Sequence, residues 1–577
     1  MIKRLLFAST LALIVIAQSA AQRGDAAAPA DLVILNGKAY PADGSNSFKE
    51  AIAVRGNRIV AVGDASDIGR LRGPKTEIID AGGGAVLPGF NDAHTHMLSG
   101  GLEMDTVNLE GASTLDEVQS RIRAYAAAHP QTAWIRGRGW GYGAFPGSTP
   151  TREQLDASVS DRPAVMRCYD GHSVWVNSKA LAAAGITKST ANPLNGTIVR
   201  DPHTGEAAGL LKEAPAMALV TRVMPKPTRA EQRRALKAAI DEALKFGVTS
   251  VTDAAGNPED LEVYDEARRA GELSARVYYS LLVTPQFNEQ DADRFDAVWK
   301  SHRDTPLLKA GIVKMFMDGV IETNTAFMLA PYANAPTTGS PNYSREDFYR
   351  IVAMMDRRGW QVMVHAIGDA AVRMVLDGFE RVAAVNPAPA RGRRHRVEHI
   401  ETIDLTDVPR FGKLAVIASM HPVGGFFVPP IRPAEQRPAP AAVGAWAGNL
   451  GPERAARGGL WKSISESGGR VVFGSDWPVA TLDAIGRIVG ITNRMPRAGG
   501  TDQRLPLTTA LDDYTSGPAY ASFDEKEKGT LAPGMLADIV VLATDIFAHK
   551  PATHADVAVK TTVFDGRVVY RDRHKGH

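Results

Sequence analysis

One cysteine, Cys168, stands in the 577 residues, so no disulfide can close within the chain and no cysteine-based zinc motif can form. It reads as a small buried hydrophobe. An excess of charge of one sign is also missing. Lys and Arg number 66 against 64 Asp and Glu, a net charge of +2 without a basic block, which excludes a nucleic-acid footprint and a polybasic membrane surface. Long hydrophobic runs are lacking too: Leu5–Ile16 falls short of the roughly 20 apolar residues that a membrane span needs. There is no internal repeat, and Pro429–Pro440 is the one plainly irregular stretch.

What is present is an ordinary globular composition, 44% hydrophobic and 23% charged, in a chain long enough for more than one structural unit. Lys3 and Arg4 precede the Leu5–Ile16 run, and Ser19-Ala20-Ala21 offers small residues to a signal peptidase. This is the pattern of a signal peptide over residues 1–21. The expectation is a periplasmic or secreted protein that starts near Gln22 and keeps no membrane contact once the signal is removed.

Short β-like runs bounded by Asn36-Gly37, Gly56-Asn57 and Gly63-Asp64 fill Asp31–Ile79. The far end does the same with Ala537–Leu542, Val557–Phe564 and Arg567–Tyr570. Neither set has strands enough to cover a sheet, which predicts one small β-sandwich built from residues 31–85 and 527–572. Between them, over 86–526, strands alternate with helices as in an α/β fold of the (β/α)8 TIM-like barrel type. Barrel strands are expected near Val86–Phe90, Thr249–Asp253, Val277–Leu282, Ile312–Met317, Gln361–His365, Arg396–His399, Ala415–Met420 and Val471–Asp476. Helices are expected at Arg229–Phe246, Arg345–Arg358, Ala370–Val385 and Glu453–Ser467. Residues 102–229 are too many for one crossover and read as an inserted lid domain with strands of its own.

Five apolar, β-rich runs end in side chains suited to a metal: His94-Thr-His96, Lys314, His365, His399 and Asp476. Alternation along a strand puts His94 and His96 on one face, where two imidazoles can clamp one divalent ion. A lone histidine of this kind is usually a hydrogen-bonded core residue, but five such strand ends are not explained that way. Strands one, four, five, six and eight would supply them, at the C-terminal face where such barrels keep their active sites. Lys314 is the odd member, because an ammonium has no lone pair to offer a cation. Trp140, Trp175 and Trp477, with Tyr142, predict a pocket tolerant of apolar or aromatic substrates.

The segments Leu87–His96, Asp170–Leu181, Val313–Gly319, His365–Asp369, Val397–His399 and Phe473–Val479 resemble, in order, those of the amidohydrolase superfamily. The likeness is to the large-chain branch that includes N-substituted formamide deformylases. It implies that CO2 converts Lys314 to a carbamate bridging two divalent ions, with zinc the expected metal, although iron or manganese also suits mixed nitrogen and oxygen ligands. His94, His96 and Asp476 would hold one ion, and His365 and His399 the other. Metal-activated hydroxide would attack an amide-like carbonyl, with Asp476 as general base. His172, in the insert, would face the metals as a substrate contact or proton donor. Asp92, Asp318 and Asp369 would orient ligands from behind.

His421 stands where relatives commonly have glutamine and Val320 where they commonly have serine, so His421 is placed among the substrate contacts. The reading is a hydrolase of small molecules at carbon–nitrogen bonds other than peptide bonds, with a homo-oligomer left open. Deamination, lactone or ester hydrolysis and isomerisation are the alternatives on the same scaffold, and a non-catalytic binding protein is the alternative from another class. Lys314 weighs against the one-metal deaminases, and a retained Asp476 against a mere binder.

Overall fold

The computed structural model describes residues 28–45, 47–302, 304–422, 440–494, 496, 499–548 and 557–572. The expected signal peptide and most of the proline-rich stretch lie outside the described residues. Among those described, no helix is long and apolar enough to cross a membrane. The chain divides into two compact units, one of Met1–Gly89, Glu525–Lys550 and Val557–His577, the other of Phe90–Asp524 and Pro551–Asp556.

The terminal unit is a sandwich of two sheets. Four strands order as Arg58–Gly63, Ala51–Arg55, Leu32–Leu35 and Glu77–Asp80. Five order as Lys38–Ala39, Ala85–Pro88, Ile539–Leu542, Val559–Phe564 and Arg567–Arg571. Alternation decides which side chains meet. Leu32, Ile34, Ile52 and Val54 join Val86, Ile539 and Val563 in one core, while Val33, Ala51 and Ala53 turn to the other face and pack on Ile68.

The larger unit holds eight parallel strands in sequence order: Phe90–Thr95, Val248–Gly256, Arg276–Leu282, Leu308–Phe316, Gln361–Ala366, Arg396–His399, Ile417–Met420 and Arg470–Phe473. It is a (β/α)8 barrel. Strands such as Gln361–Ala366 are buried at every residue, as parallel strands covered on both faces must be. Helix Arg229–Lys245 starts at a capping box between Thr228 and Glu231 and buries Leu236, Ala239, Ile240, Ala243 and Leu244 along one stripe.

Two expectations shift. The apolar run Ala85–Pro88 pairs with Ile539–Leu542 in the terminal sandwich, so the first barrel strand is Phe90–Thr95 rather than Val86–Phe90. The helix expected over Glu453–Ser467 is two short pieces, Pro452–Ala455 and Trp461–Glu466, parted by Gly458-Gly459 with Gly459 at φ +63°.

The barrel closes beyond its last strand. Asp476 N–H donates to the His94 carbonyl at 2.8 Å, and His96 N–H donates to the Trp477 carbonyl at 2.8 Å. Gly474 permits this approach, since a Cβ there would stand 2.6 Å from the His94 nitrogen. Asp92 ties the same seam, accepting from His94 N–H at 3.1 Å and Ser475 N–H at 2.8 Å.

The insert forms a six-stranded mixed sheet, ordered Thr197–Arg200, Ala207–Lys212, Ser173–Val176, Ala164–Cys168, Ile135–Trp140 and Val107–Asn108. It has a hydrophobic cluster on each face.

Candidate metal centre

At the strand ends, the donor atoms of His94, His96 and Asp476 lie within 4.8 Å of one another. His96 Nδ1 can only donate to the Ala254 carbonyl at 2.9 Å, so Nε2 is the nitrogen left to meet a metal. That Nε2 faces Asp476 Oδ1 at 3.2 Å. His94 repeats the arrangement: Nδ1 meets Glu398 Oε2 at 2.6 Å, and Nε2 points toward Asp476 Oδ1 at 3.5 Å. Two acceptors aimed at each other repel unless a cation lies between them. These residues fit a divalent metal.

Electrostatics agrees with the geometry. Burial drives the imidazoles of His94, His365 and His399 well below their usual pKa, so each keeps the lone pair that a metal needs. Burial pushes the Asp476 carboxyl up, but His96 and His94 beside it pull it well below the carboxylate range. Lys314 is fully buried, with Nζ 3.1 Å from His94 Nε2. Burial lowers its ammonium to about 8 against the opposing pull of Glu398 and Asp476.

His399 and Asp476 both sit in the left-handed region, at φ +74° and +57°. Alternation would turn His399 away from the face shared by Arg396 and Glu398, and the positive φ re-aims its ring to 5.3 Å from that of His94. Strain of this kind persists only where surrounding structure holds it, and it gathers at functional sites.

His365 is near but differently engaged. Its ring lies 4.3 Å from that of His399, while its Nε2 meets the Gly319 carbonyl at 3.2 Å. Asp318 stands behind it at 3.6 Å and accepts backbone N–H groups from Phe327, Ile367 and Gly368. Asp369 instead accepts from Leu329 N–H at the start of its helix, so the ligand-orienting role expected of it is not what this contact serves.

The insert delivers His172, whose ring lies 5.7 Å from that of His365. Its Nδ1 donates to Glu213 Oε2 at 2.8 Å, and Glu213 Oε1 accepts from Thr325 at 2.7 Å. Burial works against charge on His172, but Glu213, with Asp170 beyond, raises it to about 9.

Trp140 and Trp175 need correction. Both are fully buried in the core of the insert, where their ring N–H groups donate to the carbonyls of Met166 and Thr151, so neither rims a pocket. Trp477 is 5% exposed and lies flat against Gly100, which again is packing. His421, expected as a substrate contact, lies among the ligand imidazoles, its ring 4.4 Å from His94 and 4.6 Å from His399.

Glu398 and Glu213 were missed in the sequence. Glu398 fixes the tautomer of His94 and is itself gripped by the fully buried Arg396 at 2.8 Å. Its place two residues after Arg396, on the same strand face, was the available signal. Glu213 lies 41 residues from His172 and left none.

The chain belongs to the amidohydrolase family, whose model matches residues 77–570. It is 32% identical to the protein LONG AFTER FAR-RED 3 of Arabidopsis thaliana, over 94% of this chain and 92% of that one. It is 26% identical to the N-substituted formamide deformylase of Arthrobacter pascens, over 94% and 98%. An uncharacterized metal-dependent hydrolase from Pyrococcus horikoshii OT3 superposes with a TM-score of 0.69 at 25% identity, over 89% of this chain and 97% of that chain.

Proposed function

We propose that the protein hydrolyses carbon–nitrogen bonds of small amide-like molecules other than peptides, with two divalent metals, zinc foremost, and a carbamate on Lys314. The observation that carries this reading is the convergence of His94, His96 and Asp476 beside a wholly buried lysine. The formamide deformylase among the relatives supports the bond class. Bound metal would supply Lewis acidity, lowering the pKa of water toward about 7 and polarising a carbonyl oxygen.

The chain's own groups do the rest. The Lys314 ammonium first gives up one proton to solvent, and the resulting amine forms a nitrogen–carbon bond to CO2 and releases a second proton, so that a repelling cation becomes an anion with two donor oxygens. Glu398 holds the proton on His94 Nδ1 and keeps Nε2 free. Asp476 takes a proton from the attacking water and returns it to the departing nitrogen. His172, kept as imidazolium by Glu213, donates a hydrogen bond to the substrate as negative charge builds.

Elemental analysis of the purified protein, followed by turnover on a panel of N-acyl, N-formyl and cyclic amides, tests the reading. Two ions per chain with hydrolysis of at least one amide class is expected. Absence of metal, or turnover confined to esters or amino-purines, would overturn it.

A further inference from the structure

Barrel strand seven, Ile417–Met420, carries no ligand in the arrangement described so far, yet its end presents His421. The ring is 1% exposed, and neither nitrogen has a hydrogen-bond partner among the described residues. Its Nε2 stands 3.5 Å from Glu398 Oε2, an oxygen that His94 Nδ1 already holds at 2.6 Å. His399 Nε2 is likewise buried and without a partner. The donor atoms of His94, His399 and His421 fall within 4.8 Å of one another. Buried imidazole nitrogens left unpaired are unfavourable, and those of His399 and His421, their rings 4.6 Å apart, call for a shared cation.

His94 cannot serve both groups. Glu398 occupies its Nδ1, and its Nε2 points toward Asp476. The ion on the His399 side therefore needs another nitrogen. We propose that His421 is a direct ligand of that ion, so that strand seven joins strands five and six in holding it. This inference rests on the two-ion reading above and adds a ligand to it.

The test uses full-length protein stripped of metal and refilled with Co2+, comparing wild type with His421→Gln and His421→Cys. Wild type is expected to take two cobalt ions. His421→Gln should weaken the second by more than about 100-fold, beyond the 10–100-fold loss that follows removal of a partner behind a ligand. His421→Cys should keep the ion and show a thiolate-to-cobalt charge-transfer band in the near ultraviolet. Cys168 is buried in the insert core, so wild type is expected to show no such band.

Two ions bound at wild-type affinity in His421→Gln would overturn the proposal. So would a filled His421→Cys without the band, which makes His421 a partner of Glu398 only. Should the glutamine variant fail to fold, the cysteine variant decides alone. Fewer than two ions in wild type overturns the two-ion reading itself, a result distinct from both.

Discussion

Replacing Glu213 by Gln removes a charge without changing size, and its effect on His172 can be worked out. In the folded protein burial works against charge on His172, but Glu213, helped by Asp170, raises it from its ordinary 6.5 to about 9. At pH 8 a group of pKa 9 is about 90% protonated, whereas one of pKa 6.5 is about 3% protonated. If activity needs the imidazolium, Glu213→Gln loses roughly 30-fold in kcat/KM at pH 8 and recovers progressively below pH 6.5. The alkaline limb of the pH profile moves from near 9 toward 6.5.

Stability must follow the same titration. A folded pKa above the unfolded one stabilises fully below pH 6.5, and the contribution disappears as pH rises through 9. Its size is about 3 kcal/mol for a shift of this extent, and the side chain is 18% exposed, so solvent screening leaves most of it. The assays are kcat/KM against pH on the best amide and, independent of any substrate, histidine NMR titration with His172→Gln to identify the signal. A wild-type His172 titrating near 6.5, or an alkaline limb that Glu213→Gln leaves in place, would refute the reasoning.

Asp476→Asn keeps the shape and a neutral oxygen, so at least one metal should remain while kcat falls roughly 10²–10⁴-fold; near-normal turnover would dismiss Asp476 as base. His94→Ala removes a ligand and should lose metal together with activity, read by metal stoichiometry. Lys314 should carry an acid-labile adduct of about 44 Da in native mass spectra. Lys314→Ala should lose the bridge and be partly rescued by short carboxylic acids, and full metal content in that variant would end the carbamate assignment. Glu398→Gln should weaken metal binding about 10–100-fold with the fold intact, measured by competition with a chelator. Exported protein should begin near Gln22 on N-terminal sequencing, and an intact Met1 would rule out processing there.

The barrel was legible because its strands are apolar runs that stop abruptly at polar residues, as Val362-Met363-Val364 stops at His365. The start of strand one was not, since Ala85–Thr95 reads as one run although Gly89 parts it between two units. His94 and His96 could be placed with Asp476 because the His-x-His pair marks the end of strand one and Asp476 that of strand eight. Glu398 hid beside His399, where period-two alternation assigns opposite faces, and only the positive φ at His399 brings both into one site. Trp140 and Trp175 misled because side-chain type does not reveal which face of the insert sheet a residue joins. The glycine-rich loops around them looked like a binding surface, while their rings complete a core.

The hydrogen bonds across the barrel's last seam have a consequence for how the chain is held closed. A cation shared by His96 and Asp476 would join residues 380 apart in sequence, next to the place where strand eight meets strand one. Such an ion acts as a staple on a very long loop, and loop-closure entropy makes staples of that span the most effective in principle. Chelation would therefore loosen the barrel at one known join, between Thr95 and Trp477, before it softened the remaining strands. Protease cuts and hydrogen exchange would be the first to register it, there and in the helix that follows His96.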